Sequence, residues 1–384
     1  MAAQGQLIKR SETRWLIRVY DGRDAQGRRR YINERVNGTA KIAKARLVEV
    51  LNSQNQGTYV RPSKGTLREH IERWLETCAK PKVSPKTLEG YKWQLDQIST
   101  TLAARRLSSI RPEDVQQFYT ELINRKLSPK TIRHIHTALS AVLNKAVEWR
   151  LLHKNPCDKA ELPRQEHREM QSLSPDEAVR FLAAAKTDRL GVVFAFALFS
   201  GARPAEIFAL KWSDIDFDRA TATIQRTLQW RKKNKNPEAA DDQIRSWYFD
   251  KPKTKLSRRC IPLPAGLVQQ LKEHRARQAE GLLKIGVRSD LVFATLEGTP
   301  LHWQNVTKRH FKPVLEKAGL AATFRLYDLR HSCATLLLKD GLNPKIVSER
   351  LGHASIVLTL DTYSHVLPDM QSEEAESLQR RFYG

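Results

Sequence analysis

The sequence predicts a multidomain, mainly α-helical chain with small β-sheets, and three observations carry that reading. The first is length: 384 residues correspond to two or three domains at roughly 100–200 residues each. The second is a pair of polar stretches, Asn52 to Lys64 and Asn155 to Ser172, each holding prolines or glycine and read as linkers. The third is a recurrent helix-start signature, a capping Ser or Thr ahead of proline or glutamate, throughout the chain beyond residue 64. A 40% hydrophobic and 28% charged composition is that of folded globular protein.

In the first segment, residues 1–57, the run Arg14 to Tyr20 is β-branched and aromatic and ends at Asp21-Gly22. A second strand-like run covers Arg28 to Val36, and a helix follows from about Thr39 to Asn52. This is a small antiparallel sheet carrying one helix. Its first 50 residues hold twelve Lys or Arg against five Asp or Glu, which points to phosphate contact.

Residues 65–160 read as a bundle of four or five helices. Thr66 and Glu69 form a capping box, with Ile71, Trp74 and Leu75 as an apolar stripe. Ser84-Pro-Lys-Thr and Ser128-Pro-Lys-Thr are near copies, taken as two similar helix starts, and Arg111-Pro begins another.

The third segment, 168–384, is mostly helical with a small sheet. Ser174 to Glu177 is a further capping box, leading an apolar helix up to Phe199, and a new helix begins at Pro204. Strands are expected over Ala220 to Leu228 and Ser246 to Lys255, separated by a charged insert from Arg231. Helices resume at about 265–281, 304–318, 328–340 and 344–351, with Gly319, Gly341 and Gly352 as stops. Trp149 and Trp212 fall on apolar helix faces and are expected in the core.

Sixty-six Lys and Arg against 42 Asp and Glu leave a formal net charge of +24, which calls for a polyanionic partner. Nucleic acid comes first; no lipidation motif or long basic amphipathic helix supports an anionic membrane. The longest apolar stretch, Val192 to Phe199, is far short of the ~20 residues that span a bilayer. The amino terminus lacks a signal core, so a cytoplasmic protein is expected. Cys78, Cys157, Cys260 and Cys333 lie too far apart for a zinc motif and are read as free thiols. No phosphate loop, zinc helix, paired-acid metal site or serine elbow is present, so no cofactor or metal is expected.

Phosphodiester cleavage without a metal needs a side-chain nucleophile, cationic donors for the non-bridging oxygens and an acid for the leaving oxygen. The last half of the chain supplies the set. Arg203 precedes Pro204 and is held out of the helical region. Tyr327 and Arg330 stand three apart at a helix start, His353 follows Leu351-Gly352, and Tyr363 follows Thr359-Leu-Asp-Thr.

In that order these pieces resemble the tyrosine recombinases of the phage-integrase family, in the three-domain form with an amino-terminal arm-binding domain. The resemblance is most specific over Phe199 to Glu206, Lys251 to Leu263 and Leu326 to Val366. It implies an arm-type DNA-binding domain at 1–57, a helical, SAM-like core-binding domain at 65–160 and a mixed, mostly helical catalytic domain at 168–384. It further implies a clamp around double-stranded DNA, 3′-phosphotyrosyl intermediates and a homotetramer joining two duplexes. Carried over by motif, Tyr363 is the nucleophile, Arg203 and Arg330 hold the scissile phosphate, and His353 donates to it. Lys253 is taken as the acid for the 5′ oxygen, with Lys255 the alternative on the same strand face. The family has histidine where Tyr327 stands. A phenol with an ordinary pKa of ~10 is a poor base near pH 7, so Tyr327 is read as an orienting group and proton relay, or as packing.

Glu206 is expected to orient an arginine and Asp328 to cap the helix of Arg330. His331 and His365, beside motif residues, are read as structural. The function implied is integration and excision of a phage or mobile element at arm- and core-type attachment sites, in a nucleoid-associated protein. An excision factor or a host DNA-bending protein is a candidate partner. The alternatives are a catalytically silent DNA-binding protein on the same scaffold and a type IB topoisomerase-like relaxer.

Overall fold

Alternating burial along the first strands sets up the amino-terminal sheet. A computed structural model describes residues 5–24, 26–55, 59, 65–165, 170–230, 246–251, 257–363 and 379–383. Strands β1 (Gly5–Lys9), β2 (Arg14–Arg23) and β3 (Arg29–Asn37) pair antiparallel in that order. Helix α1 (Ala40–Asn55) covers one face, where Ile17, Val19, Ile32 and Val50 are buried. Period-2 alternation sends Arg14, Arg18 and Tyr20 to the other face, with Asn33 opposite Arg18 and Tyr31 opposite Tyr20. There the Arg18 guanidinium lies 4.1 Å from the Tyr31 ring centre. β1 was not expected from the sequence. Gly5 allows it, since a Cβ there would stand 2.7 Å from Leu47 Cδ1. α1 also runs three residues past its expected end, into the stretch read as linker.

The chain divides into units 1–167 and 168–384. The first also contains a helical core built on α2 (Leu67–Trp74), α3 (Pro85–Asp96), α4 (Thr100–Ala104), α5 (Pro112–Asn124) and α6 (Pro129–Glu148). Their starts follow the expected chemistry: the Thr66–Glu69 box closes both ways, and Ser84 and Ser128 accept from the Thr87 and Thr131 amides. α6 buries Ile132, Ile135, Leu139, Val142 and Leu143 along one stripe. The stretch after it is not all linker. Asn155 is buried, its amide donating to Ser140 and Asn144, and Cys157 joins the bundle core. Trp149 corrects an expectation: it is 36% exposed, with the Arg73 guanidinium 4.9 Å from its ring.

In the second unit the expected apolar helix is two. α7 (Pro175–Ala185) and α8 (Gly191–Ser200) are separated by a turn whose close return requires glycine at 191, where a Cβ would sit 1.9 Å from the Ala185 carbonyl oxygen. Asp188 caps the turn by accepting from the Leu190 amide. α9 (Pro204–Ile207) follows, then β4 (Ile215–Asp216), β5 (Thr221–Ile224), β6 (Thr227–Trp230), β7 (Trp247–Asp250) and β8 (Arg259–Pro262). β4, β5 and β8 form one sheet, β6 and β7 a separate ribbon. The run expected as one strand is thus broken at Gln225-Arg226, whose side chains both bond Asp214. The insert 231–245 lies outside the described residues.

Helices α10 (Ala265–Lys284), α11 (Trp303–Val306), α12 (Lys312–Lys317), α13 (Asp328–Lys339), α14 (Pro344–Leu351) and α15 (Ile356–Tyr363) complete the unit. α8 is buried on nearly every side, with Phe194 and Phe196 among its core residues, and packs against α13, α7 and α10. Among the described residues no helix is long and apolar enough to cross a membrane.

Candidate active site

The site is assembled where the ends of α8, α13 and α14 meet β8. α8 stops at Gly201, left-handed at φ +63°. A side chain there would strike Leu351 Cδ2 at 2.6 Å, so glycine is required by both conformation and space. The buried Gly201 carbonyl accepts from Arg330 Nη1 at 2.7 Å. Arg203, extended at φ −69° and ψ 146° ahead of Pro204 as expected, donates its amide and its Nη1 to the two oxygens of Glu206, each at 2.9 Å.

Glu206 is a shared anchor. Its side chain is 1% exposed, and Arg259 Nη2 from β8 donates to it at 2.9 Å. Burial pushes its carboxyl up, but the charges and hydrogen bonds of Arg259 and Arg203 win and hold it below the ordinary range. Arg259 also donates to the Ser257 and Arg350 carbonyls, and Arg350 donates to the Phe199 and Pro262 carbonyls. These bonds tie the end of α14 to β8 and to the end of α8. Gly352 ends α14 at φ +68°, directly over Arg259: an added Cβ would lie 2.9 Å from Nη1. The glycine turn delivers His353, whose Nδ1 is 2.8 Å from the buried Thr359 Oγ1.

Tyr327 and Asp328 open α13, and Arg330 follows one turn on, 2% exposed. Asp328 closes the preceding turn by accepting from the Arg325 amide and guanidinium. Arg330 Nη2 is buried with no hydrogen-bond partner among the described residues. Burial, then the charge of Arg203, presses the Arg330 pKa down. Tyr363, at the end of α15, is 1% exposed, and its hydroxyl lies 2.8 Å from His331 Nδ1. Burial raises the phenol well above its usual pKa, although the charge of Arg330 acts the other way. His353 is lowered to about 4, first by burial and then by the charges of Arg330, Arg203 and Arg259.

Five of the residues expected from sequence are therefore linked through Arg330: Arg203, Tyr327, His353 and Tyr363 each interact with it electrostatically. Lys253, Lys255 and His365 lie outside the described residues. Tyr327 is 40% exposed, its ring edge-on to His331 at 5.3 Å. Two features at the centre were not anticipated, the role of Arg259 and the His331–Tyr363 contact. The i, i+4 spacing of 327 and 331 on one helix face accounts for their ring contact, but nothing local in the sequence signals the meeting of His331 with Tyr363.

Comparison with known proteins places this geometry. Residues 171–370 match the phage integrase family, and residues 66–123 match its N-terminal SAM-like domain. A "tyrosine recombinase XerC-like" protein of Caldanaerobacter subterraneus subsp. tengcongensis is 31% identical across the whole of both chains. The ICEBs1 integrase of Bacillus subtilis is 27% identical over 80% of this chain and 81% of its own. Among solved structures, the Tn1549 transposon integrase in complex with a circular intermediate DNA superposes with a TM-score of 0.67 at 21% identity. It covers 82% of this chain and 99% of its own. A lambda integrase tetramer bound to a Holliday junction has the same fold, at a TM-score of 0.58 and 18% identity over 92% and 93%. The chain belongs to the phage integrase family.

Proposed function

We propose that this chain is a tyrosine-type site-specific DNA recombinase that integrates and excises a mobile element. The observation that carries the reading is the buried Nη2 of Arg330, without a hydrogen-bond partner among the described residues, on a side chain that interacts electrostatically with Arg203, His353 and Tyr363. A buried donor left unpaired costs free energy that a bound anion recovers, and a guanidinium fork suits a phosphate. The Tyr363 oxygen attacks the scissile phosphorus while Arg203 and Arg330 hold the non-bridging oxygens. His353, oriented by Thr359, donates through its other ring nitrogen. Lys253, or Lys255 beside it, protonates the departing 5′ oxygen.

The reaction exchanges one phosphodiester for another. The phosphotyrosine keeps the bond energy that a free 5′ hydroxyl later uses, so direction comes from binding and assembly. Residues 1–57 are assigned to arm-type DNA, 65–160 to core-type DNA and 168–384 to catalysis. The basic open face of the first sheet and the family match over 66–123 support the first two assignments. The assembly is a homotetramer, as described for lambda integrase on a Holliday junction. The protein works in the cytoplasm, at the nucleoid. The test is a nicked duplex carrying the junction sequence of the circularised element, incubated with the full chain. A covalent protein–DNA adduct that disappears in Tyr363→Phe is expected. No adduct with the unaltered chain would favour the silent DNA-binding scaffold.

A further inference from the structure

The phenol of Tyr363 must lose its proton as it attacks, and burial holds that proton more tightly than in water. In this family the residue at position 327 would be a histidine, but here it is a tyrosine. The Tyr327 hydroxyl makes no hydrogen bond to Tyr363 and none to any other described residue, and the residue is substantially exposed. The group that touches the reacting oxygen is His331, one helical turn further along α13. Its Nδ1 is 2.8 Å from the Tyr363 hydroxyl, with the rings 5.9 Å apart. The contact joins α13 to α15 across 32 residues, and Tyr363 is buried in one cluster with Ala334 and Leu338 of α13 and Val347 and Leu351 of α14, so tertiary packing rather than local chain geometry sets it. We propose that His331 is a further catalytic residue: it takes the phenolic proton of Tyr363 during cleavage and returns it when the phosphotyrosyl bond is resolved.

This rests on the recombinase reading and names its missing base. In the forward step the O–H bond of Tyr363 breaks and its proton moves to His331 Nδ1. The phenolic oxygen then bonds to phosphorus, and the P–O5′ bond breaks, the 5′ oxygen taking its proton from the hairpin lysine. In the reverse step the 5′ hydroxyl gives its proton back to the hairpin lysine as its oxygen bonds to phosphorus, and the departing phenolate recovers the proton from the imidazolium. For this the resting imidazole must be neutral, with its own proton on Nε2. The groups facing it are consistent with that. Burial comes first in holding its pKa below the ordinary value; Arg330 and Arg325 act in the same direction and Asp328 against. Tyr327, Tyr363 and His353 are the other titratable neighbours. Tyr327, edge-on to the imidazole, steers its ring instead of taking the proton.

The experiment is single-turnover adduct formation on the nicked junction duplex, from pH 5.5 to 9.5. It compares the unaltered chain, His331→Gln and His331→Ala, each also made with 2,3-difluorotyrosine at position 363 to lower the phenol pKa. The unaltered chain should lose rate only on the acid side and gain little from fluorination. Both variants should be slower by about a hundredfold or more at pH 7, the usual scale for general-base loss. They should regain roughly tenfold per pH unit upward and be accelerated strongly by fluorination. A deficit equal at every pH and insensitive to fluorination assigns His331 to packing and overturns the proposal. Variants as fast as the unaltered chain overturn it too. Faster variants make the contact a latch that restrains the nucleophile, which is the opposite role. Should both variants fail to bind the duplex, the pH profile of the unaltered chain decides. An acid limb that moves with fluorination belongs to the phenol and refutes the base. Failure of the unaltered chain to form any adduct would instead refute the recombinase reading.

Discussion

Replacing Arg259 by methionine keeps the length and apolar stem of the side chain but removes the charge that Glu206 was buried against. The side chain of Arg259 is 6% exposed and that of Glu206 1%. Breaking a buried ion pair from one side costs about 3–5 kcal/mol when the remaining charge is left alone. Glu206 keeps the Arg203 amide and one Arg203 guanidinium bond, so the loss should fall toward the low end, about 2–3 kcal/mol. The dependence on pH gives the argument its sign. The Glu206 pKa is depressed in the folded protein, so its contribution is present above the unfolded value of 4.5 and is lost as pH falls through the folded value. Without Arg259, burial has the upper hand, the folded pKa climbs, and stability falls as pH rises past 4.5. The gap between the two proteins should therefore widen from pH 4.5 to 7.5. Scanning calorimetry of the full chain at these pH values, following the transition of the 168–384 unit, measures it. Adding Glu206→Gln removes the stranded charge, so the double variant should be more stable at pH 7.5 than Arg259→Met alone. A gap under about 1 kcal/mol, a gap flat with pH, or a double variant weaker than the single would refute this reasoning.

Two further substitutions probe the frame around the site. Gly201→Ala combines a left-handed backbone, about 1–2 kcal/mol for a residue with a Cβ, with a 2.6 Å approach to Leu351. It should lower the unfolding temperature and, by moving the carbonyl that holds Arg330, reduce adduct formation more than DNA binding; equal loss of both would count against the anchoring role. Thr359→Val removes the hydroxyl that faces His353 Nδ1. Stability should fall by about 1 kcal/mol and cleavage should slow, with Thr359→Ser restoring both. A serine variant as slow as the valine one would show that the hydroxyl does not orient the imidazole.

Helix starts were legible because a capping side chain acts within three residues: Thr66, Ser84, Ser128 and Ser174 accept from the amides their spacing indicated. Tyr363, Arg203, Arg330 and His353 were legible for a different reason, as motif residues on helix ends whose order the resemblance supplied. What escaped depends on contacts between distant segments. The β5–β6 break is made by Asp214, eleven and twelve residues away from the side chains that bind it. Arg259 could not be told from Arg258 until the register of β8 was set against β5, which pairs Arg259 with Ile224. His331 was visible as a neighbour of Arg330, but only the burial of Tyr363 among Ala334, Leu338, Val347 and Leu351 places it against the nucleophile.

The distribution of charge explains why the frame is so heavily braced. Three guanidiniums, Arg203, Arg259 and Arg330, gather near a single carboxylate that serves two of them, while Asp328 is engaged by Arg325. Among the described residues Arg330 has a backbone carbonyl for Nη1 and no partner for Nη2, and burial, then the surrounding charge, lowers its pKa and that of His353. Like charges at this separation would spread apart in a mobile site. Here Gly201, Gly352, Arg259 and Arg350 hold the ends of two helices and a strand to backbone carbonyls, so the repulsion persists in the resting protein. A phosphate entering the site meets cationic groups already in place, one of which, Arg330 Nη2, has no partner among the described residues. The stabilisation it receives grows as further negative charge develops on its oxygens, which is the condition for favouring the transition state over the bound substrate.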